Sequence, residues 1–125
     1  AAALDHRITA AAPAVPFMGD FADYWKIVWW PVWEVFDAAK EQGLSREQVL
    51  DVMRFFDTKN FAAGITCPVK MGFGLQDPTC PPHTNFAPYN LIQSEKSYVC
   101  YPYCGHGIWQ VDEWRTEREA FFAQF

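Results

Sequence analysis

The sequence carries little positive charge and contains no long hydrophobic run. Its 125 residues include 10 Lys and Arg against 15 Asp and Glu, which gives a net charge of −5, and the basic residues are scattered. A surface that binds phosphates needs clustered Lys and Arg, so we expect no nucleic-acid partner. Because no apolar run approaches the roughly 18 residues of a membrane-spanning helix, we also expect no membrane span.

Metal and cofactor motifs are also missing. The four cysteines, at positions 67, 80, 100 and 104, do not form paired C-x-x-C units, which argues against a zinc site. Their spacing is compatible with free thiols and with one or two disulfides. The sequence contains no phosphate-binding glycine loop and no metal-ligand cluster, so we expect neither a cofactor nor a metal.

Serine is scarce as well. Ser45, Ser94 and Ser97 are the only serines, and none has a glycine two positions away on both sides. The chain therefore lacks the Gly-x-Ser-x-Gly turn that presents a nucleophilic serine in many hydrolases. Ser45 precedes a predicted helix and the other two flank a predicted strand, so we expect none of them to act as a nucleophile.

The residues that are present suit one small, well-packed domain. Half of them are hydrophobic and 18% are aromatic. Apolar or β-branched residues predict strands over 7–15, 67–75 and 97–103, and helical patterns separate and follow these segments. This alternation predicts a parallel sheet covered by helices. Three strands form a poor sheet alone, so we interpret the chain as part of a larger α/β fold.

Tryptophans dominate the helical region between the first two strands. Trp25, Trp29, Trp33 and Phe36 recur at spacings of three and four, which predicts one helical face. Pro31 interrupts this pattern and predicts either two short helices or a kink. The tryptophans, with Trp30 between them, could form a sugar-stacking platform or a seam that is buried or faces another subunit.

Two other helices have clear signals. Ser45 followed by Gln48 is a capping box, which predicts a helix from about 46 to 56. The last segment predicts an amphipathic helix whose apolar side chains, Val111, Trp114, Phe121 and Phe125, face a core.

An acid and a histidine follow the last two predicted strands. Asp77 lies two residues past Leu75, and His106 lies three residues past Tyr103. Reactive groups gather at the carboxyl ends of parallel strands, and the separation of 29 positions (106 − 77) allows one helical crossover. A carboxylate that accepts a hydrogen bond from histidine Nδ1–H leaves Nε2 able to take a proton from a hydroxyl.

These two residues are candidates for two members of a Ser-His-Asp triad, in the chain order that α/β-hydrolases use. A structural alternative stays open. Asp77 could simply cap the helix that starts near Pro81, and Gly-His-Gly could be an ordinary loop.

Other titratable residues offer weaker candidates. His83 follows two prolines and is more typical of a surface or helix N-terminal residue than of a second base. His6 has no evident partner in its loop. Cys104 is only two residues from His106, a spacing that does not readily place sulfur and imidazole in line for catalysis.

The segment "KNFAAGITCPVKMGFGLQDPTCPPHTNFAPYN" and the later "YPYCGHG" resemble the acetyl xylan esterase and cephalosporin-C deacetylase family, carbohydrate esterase family 7 and its relatives. The matching positions include Asp77, the Cys-Pro-Pro that follows it and the Gly-His pair at 105–106. Residues 3–21 resemble the segment that follows the nucleophile turn of this family. Pro88 departs from the family pattern, since it stands where a helix-forming residue is expected.

The resemblance implies a fold and an activity. It implies the C-terminal portion of an α/β-hydrolase fold, with roughly three parallel strands, flanking helices and a helical insertion over about 19–57. It implies a serine carboxylesterase that removes acetyl groups from carbohydrate or related esters, with Asp77 as the triad acid and His106 as the triad base.

The resemblance also implies partners. The serine and the oxyanion donors would lie before Ala1, so the N-terminal part of the same hydrolase would be a partner and an acetylated carbohydrate the substrate. The family is often oligomeric, so a homo-oligomer is a further expectation. We expect the chain alone to have no esterase activity. Two alternatives remain: a non-catalytic binding or assembly module that uses the tryptophan seam, and another acyl hydrolase or peptidase of the same fold.

Overall fold

Short helices surround a small parallel sheet. A computed structural model describes residues 1–17, 19–28 and 30–125. The helices are α1 (Phe21–Ile27), α2 (Val32–Glu41), α3 (Arg46–Met53), α4 (Thr58–Phe61), α5 (Pro82–Leu91) and α6 (Asp112–Phe122), and the strands are β1 (Val69–Gly74) and β2 (Lys96–Tyr101). Single 3-10 turns cover Ala62–Gly64 and Ile108–Gln110. Within the described ranges, no helix combines the length and the hydrophobicity needed to cross a bilayer.

β1 is the central strand of the sheet. It pairs in parallel with β2, in a register that runs from Val69 opposite Lys96 to Gly74 opposite Tyr101. On its other side, Ala11 and Ala14 form parallel bridges to β1. The predicted parallel arrangement is therefore present, with β1 between two neighbours.

The predicted strand over 7–15 is wrong as a continuous element, because only isolated bridges form there. Ala11 N donates to Pro68 O at 3.0 Å and Ala11 O accepts from Lys70 N at 2.9 Å, so the ladder begins normally. The next residue facing β1 is Pro13, which has no N–H to donate to Lys70 O. Val15 then adopts a φ of 40°, which ends the extended conformation.

Both faces of β1 are covered. Val69, Met71 and Phe73 alternate along one face and pack with Tyr89 and Ile92, which come from α5 and its C-terminal end. This alternation agrees with the predicted buried strand.

The opposite face of β1 contacts the last helix closely. A Cβ atom at Gly72 would lie 2.7 Å from Ile108 Cδ1 and 2.9 Å from the indole ring of Trp114, so only glycine fits here. Trp114 and Phe121 of α6 are buried, as predicted. The prediction for Phe125 is wrong: it follows the end of α6 and is 59% exposed.

Residues 19–57, for which the sequence predicts a helical insertion, are called the insertion below. A small separate core lies within them, formed by Tyr24, Val28, Val32, Phe36, Ala39 and Val49. α1 and α2 are separate helices on either side of Pro31, as predicted. The rings of Trp25 and Phe36 pack edge to face at a centroid distance of 5.8 Å, which joins the two helices. Trp33 is 38% exposed, so it lies at the margin of this core. The predicted role of Trp29 falls outside the described residues.

The capping box of α3 is present. Gln48 N donates to Ser45 Oγ at 3.3 Å, and Ser45 N donates to Gln48 Oε1 at 2.8 Å. The regular helix ends at Met53, three residues before the predicted end, because Phe55 and Phe56 form a turn.

Asp57, at the end of the insertion, forms hydrogen bonds with the backbone at its start. This buried carboxylate accepts hydrogen bonds from the backbone N–H groups of Asp20 (2.9 Å), Phe21 (2.8 Å) and Lys59 (2.9 Å). Lys59 also pairs with the side chain of Asp20. Three N–H groups near the beginnings of two helices therefore share one buried acceptor.

Candidate active site

The loops that follow β1 and β2 run side by side. Leu75 N donates to Tyr101 O at 3.1 Å, and Gln76 N donates to Cys104 O at 3.0 Å, so pairing continues beyond the strands. At Gly74 the loops are so close that a Cβ atom would lie 2.2 Å from Gly105 O. Parallel strands deliver their following loops to the same edge of a sheet, and this glycine lets the two loops touch.

These loops bring together the acid and the histidine singled out from the sequence. His106 Nδ1 lies 2.9 Å from Asp77 Oδ2, a normal length for a charge-assisted hydrogen bond. A carboxylate can only accept, so the contact places the proton on Nδ1 and leaves Nε2 as the basic nitrogen. The Asp77 side chain is fully buried, whereas that of His106 is 36% exposed.

Asp77 also builds its own loop. Its Oδ1 accepts hydrogen bonds from Thr79 N at 2.8 Å and from Cys80 N at 2.9 Å. Asp77 can therefore stabilise its turn through Oδ1 and orient His106 through Oδ2, so the two interpretations of this residue are compatible. The backbone bonds fix the carboxylate plane and direct Oδ2 toward His106.

The helical insertion supports the same loop. Tyr24 is fully buried in α1, and its hydroxyl donates to Thr79 O at 2.7 Å. Burial, followed by the effects of Cys80 and Asp77, raises the pKa of Tyr24 to about 12, so the hydroxyl remains a donor. Sequence reasoning missed this tyrosine, because no local motif links it to residue 79.

Trp109 lies beside the exposed part of His106. The indole and imidazole centroids are 5.0 Å apart with an interplanar angle of 87°, an edge-to-face contact. Trp109 is 50% exposed, whereas its neighbour Ile108 is fully buried. Sequence reasoning missed Trp109 as a site residue; its position three residues after the histidine was the available signal.

A third potential metal-ligand atom lies near the Asp77–His106 pair, which is called the dyad below. Asp77, Cys80 and His106 each place one donor atom within 4.8 Å of the others, a proximity that the sequence spacing did not reveal. Two of these residues, Asp77 and His106, already share the Nδ1–Oδ2 hydrogen bond. Burial, with Asp77 nearby, raises the pKa of the Cys80 thiol to about 12 and so disfavours the thiolate that binds a metal. The arrangement suits proton transfer better than metal coordination.

The other sequence candidates lie apart from this pair. His83 is exposed in the first turn of α5, and His6 Nδ1 contacts Thr66 Oγ1 at 3.2 Å. Ser45 caps α3, and Ser94 Oγ donates to Cys67 O at 2.7 Å. All four cysteines are free thiols.

A parallel sheet with acid and histidine on neighbouring loops, in this chain order, is that of an α/β-hydrolase. Solved structures agree: Pyrococcus horikoshii acylaminoacyl peptidase matches 99% of this chain and 20% of its own with a TM-score of 0.69, although the identity of 16% makes this a likeness of fold alone. The predicted fold class is confirmed. Within that class, the chain belongs to the acetyl xylan esterase (AXE1) family, whose model matches residues 1–124.

Similar proteins carry related names. The acetyl xylan esterase from Paenibacillus sp. R4 is 30% identical with a TM-score of 0.89, and the match covers 99% of this chain and 40% of that one. Acetyl xylan esterase 1 from Thermoanaerobacterium sp. JW/SL YS485 is 32% identical with a TM-score of 0.80, covering 94% and 38%. Acetyl esterase Axe7A from Xylanibacter ruminicola is 31% identical over 114 residues, which are 90% of this chain and 24% of Axe7A. The chain thus spans less than half the length of these relatives.

Proposed function

We propose that this chain supplies the acid and the histidine of a serine carboxylesterase that removes acetyl groups from carbohydrate or related esters. The observation that carries the proposal is the 2.9 Å contact between His106 Nδ1 and the fully buried carboxylate of Asp77. It fixes the tautomer in which Nε2 is basic, and in the described part of the chain Nε2 has no hydrogen-bond partner. Family membership and the names of the similar proteins support an acetyl ester as the substrate.

In this mechanism His106 moves the protons and Asp77 holds it in place. A serine hydroxyl attacks the acetyl carbonyl carbon while His106 Nε2 takes its proton. Collapse of the tetrahedral intermediate breaks the bond to the sugar oxygen, which receives that proton from Nε2. Water then attacks the acetyl-enzyme, His106 again takes and returns a proton, and acetate leaves. Asp77 stabilises the imidazolium during both steps.

The serine would come from another segment of the same hydrolase, since no serine of this chain stands in a Gly-x-Ser-x-Gly context. Two features support such a partner. Among residues 1–17, 19–28 and 30–125, the bridged residues Ala11 and Ala14 pair only with β1, so their other side is open to a further strand. Beside them, an apolar groove of about 640 Å³ is lined by residues that include Phe55, Phe56 and Phe61. On this proposal, residues 1–125 are one part of an α/β-hydrolase domain.

The test uses the protein with its serine-bearing segment and compares variants of the Asp77–His106 pair with a control variant at another histidine. His106→Ala should lower kcat for acetyl-ester hydrolysis by about a thousandfold or more, and Asp77→Asn should act similarly by favouring the wrong tautomer. The matched control is His83→Ala, which removes an exposed histidine of α5 and should leave activity near the parent value. An acetyl esterase that kept its rate in both dyad variants would refute the mechanism.

The same proposal predicts that this chain alone is inactive and unreactive. A serine-directed fluorophosphonate should leave the mass of the isolated chain unchanged, because none of the serines of the chain stands in a Gly-x-Ser-x-Gly turn that would present it to the base. A 1:1 adduct on intact-mass analysis would contradict the assignment of the serine to another segment.

A second candidate function is a non-catalytic assembly or binding module, which could include a homo-oligomer. The observation in its favour is that two tryptophans of the insertion reach the surface: Trp30 is 54% exposed and Trp33 is 38% exposed. The dyad variants separate the candidates, because a module would be indifferent to both substitutions.

A further inference from the structure

Trp109 lies next to the histidine on a hydrogen-bonded turn, and half of its surface is exposed. It occupies the middle of a 3-10 turn in which Gln110 N donates to Gly107 O and Val111 N donates to Ile108 O, both at 3.0 Å. Ile108, on one side of it, is fully buried and packs in the core with Trp114. The turn is therefore anchored, and Trp109 is directed outward from a fixed backbone.

The indole keeps a broad apolar surface open to solvent. Because its ring is perpendicular to the imidazole, with a 5.0 Å centroid separation, at least one of its faces is not covered by His106. The other tryptophan of this region, Trp114, is 1% exposed and serves the core. A half-exposed tryptophan on an anchored turn beside a reactive histidine is positioned to contact a ligand rather than to stabilise the fold.

We infer that Trp109 is a substrate-specificity residue that stacks against the sugar ring bearing the acetyl group. The inference rests on the proposed function, in which His106 Nε2 returns a proton to the sugar oxygen as it leaves. That oxygen must lie within hydrogen-bond reach of the imidazole, whose centroid is 5.0 Å from that of the indole, so a sugar ring attached to it is within reach of Trp109.

The chemistry of the two surfaces matches. The axial C–H groups of a pyranose ring present a weakly positive apolar face, and the face of an indole carries negative π density. Such a contact orients the acetyl ester without a charge. The class of ligand is thus the acetyl ester of a pyranoside, as opposed to the acetyl ester of a simple alcohol.

The experiment compares two esters in the serine-containing protein: an acetylated xylo-oligosaccharide, and ethyl acetate, which has neither a sugar nor an aromatic ring. For Trp109→Ala, the ratio of kcat/KM for the sugar ester to that for ethyl acetate should fall about tenfold, mainly through KM. Trp109→Phe should restore much of the ratio, since it keeps an aromatic face. The control Tyr103→Ala removes an aromatic residue that is 90% exposed on the same loop and should not change the ratio.

Two results would overturn the inference. One is an unchanged ratio in Trp109→Ala, and if both esters lose activity equally, Trp109 only positions His106 or meets another part of the protein. The other is a ratio that falls in Trp109→Ala but that Trp109→Phe fails to restore. His106→Ala, assayed in parallel, separates the two levels: its loss on both esters upholds the proposed function whatever the Trp109 ratio shows, whereas full activity would overturn both.

Discussion

Replacing Gly74 with alanine should push the two loops of the dyad apart. The new Cβ would lie 2.2 Å from Gly105 O and 2.5 Å from Cys104 O. An ordinary contact begins near 3.4 Å, so the shortfalls are 1.2 Å (3.4 − 2.2) and 0.9 Å (3.4 − 2.5). Both obstacles are backbone atoms that no side-chain rotation can move, so the loops must separate.

The size of this effect follows from the same distances. Overpacking a filled site costs about 1–3 kcal/mol, and we expect the upper part of that range because the whole loop has to shift. A shift of about 1 Å would also lengthen the 2.9 Å contact between His106 and Asp77 beyond the limit of a hydrogen bond.

Urea unfolding measures the stability, and proton NMR of the downfield Nδ1–H signal of His106 reports on the dyad. Gly74→Ala should lower the free energy of unfolding and abolish that signal. The matched control is Gly105→Ala on the facing loop, where the nearest atom to a new Cβ is Gln76 O at 3.5 Å, an ordinary contact. That variant should stay within about 0.5 kcal/mol of the parent. The reasoning fails if the two alanine variants unfold at the same urea concentration and both keep the signal.

Two further predictions concern the surroundings of the site. Asp57→Ala removes the acceptor that backbone N–H groups of the insertion share, and it should lower the free energy of unfolding by about 1–3 kcal/mol in urea titrations. A loss under about 0.5 kcal/mol would contradict the shared-acceptor role. The pKa of Cys80 is raised from 9.0 to about 12, so above pH 9.0 only the unfolded chain readily releases this proton. Stability should therefore fall as pH rises from 9.0 toward 12, and Cys80→Ala should make that fall shallower when urea midpoints are compared across the alkaline range. An identical alkaline slope in the variant would show that the thiol does not contribute.

The parts of the fold that could be predicted from sequence are those with local causes. The capping box of Ser45 and the helix break at Pro31 depend on residues a few positions away, and both are present. The proximity of Asp77 and His106 was also predictable, because parallel strands bring their following loops together whatever the intervening helix does.

The features that escaped prediction depend on distant partners. Pro13 interrupts the first predicted strand because the residue at that point must donate an N–H to β1. This requirement follows from the register of pairing with β1, which the sequence does not reveal. The exposure of Phe125 reflects where α6 ends. Trp109 meets His106 because a 3-10 turn, which the sequence pattern does not specify, carries it there.

The hydrogen bond from Tyr24 to Thr79 has a consequence for protein engineering. It makes the helical insertion a structural brace for the loop of Asp77, although the two are 55 residues apart in the chain. A chimera that receives residues 19–57 from a relative without a hydroxyl at position 24 would leave Thr79 O without this hydrogen bond. Grafts of this insertion should therefore be designed together with the acid loop, as a single exchangeable unit.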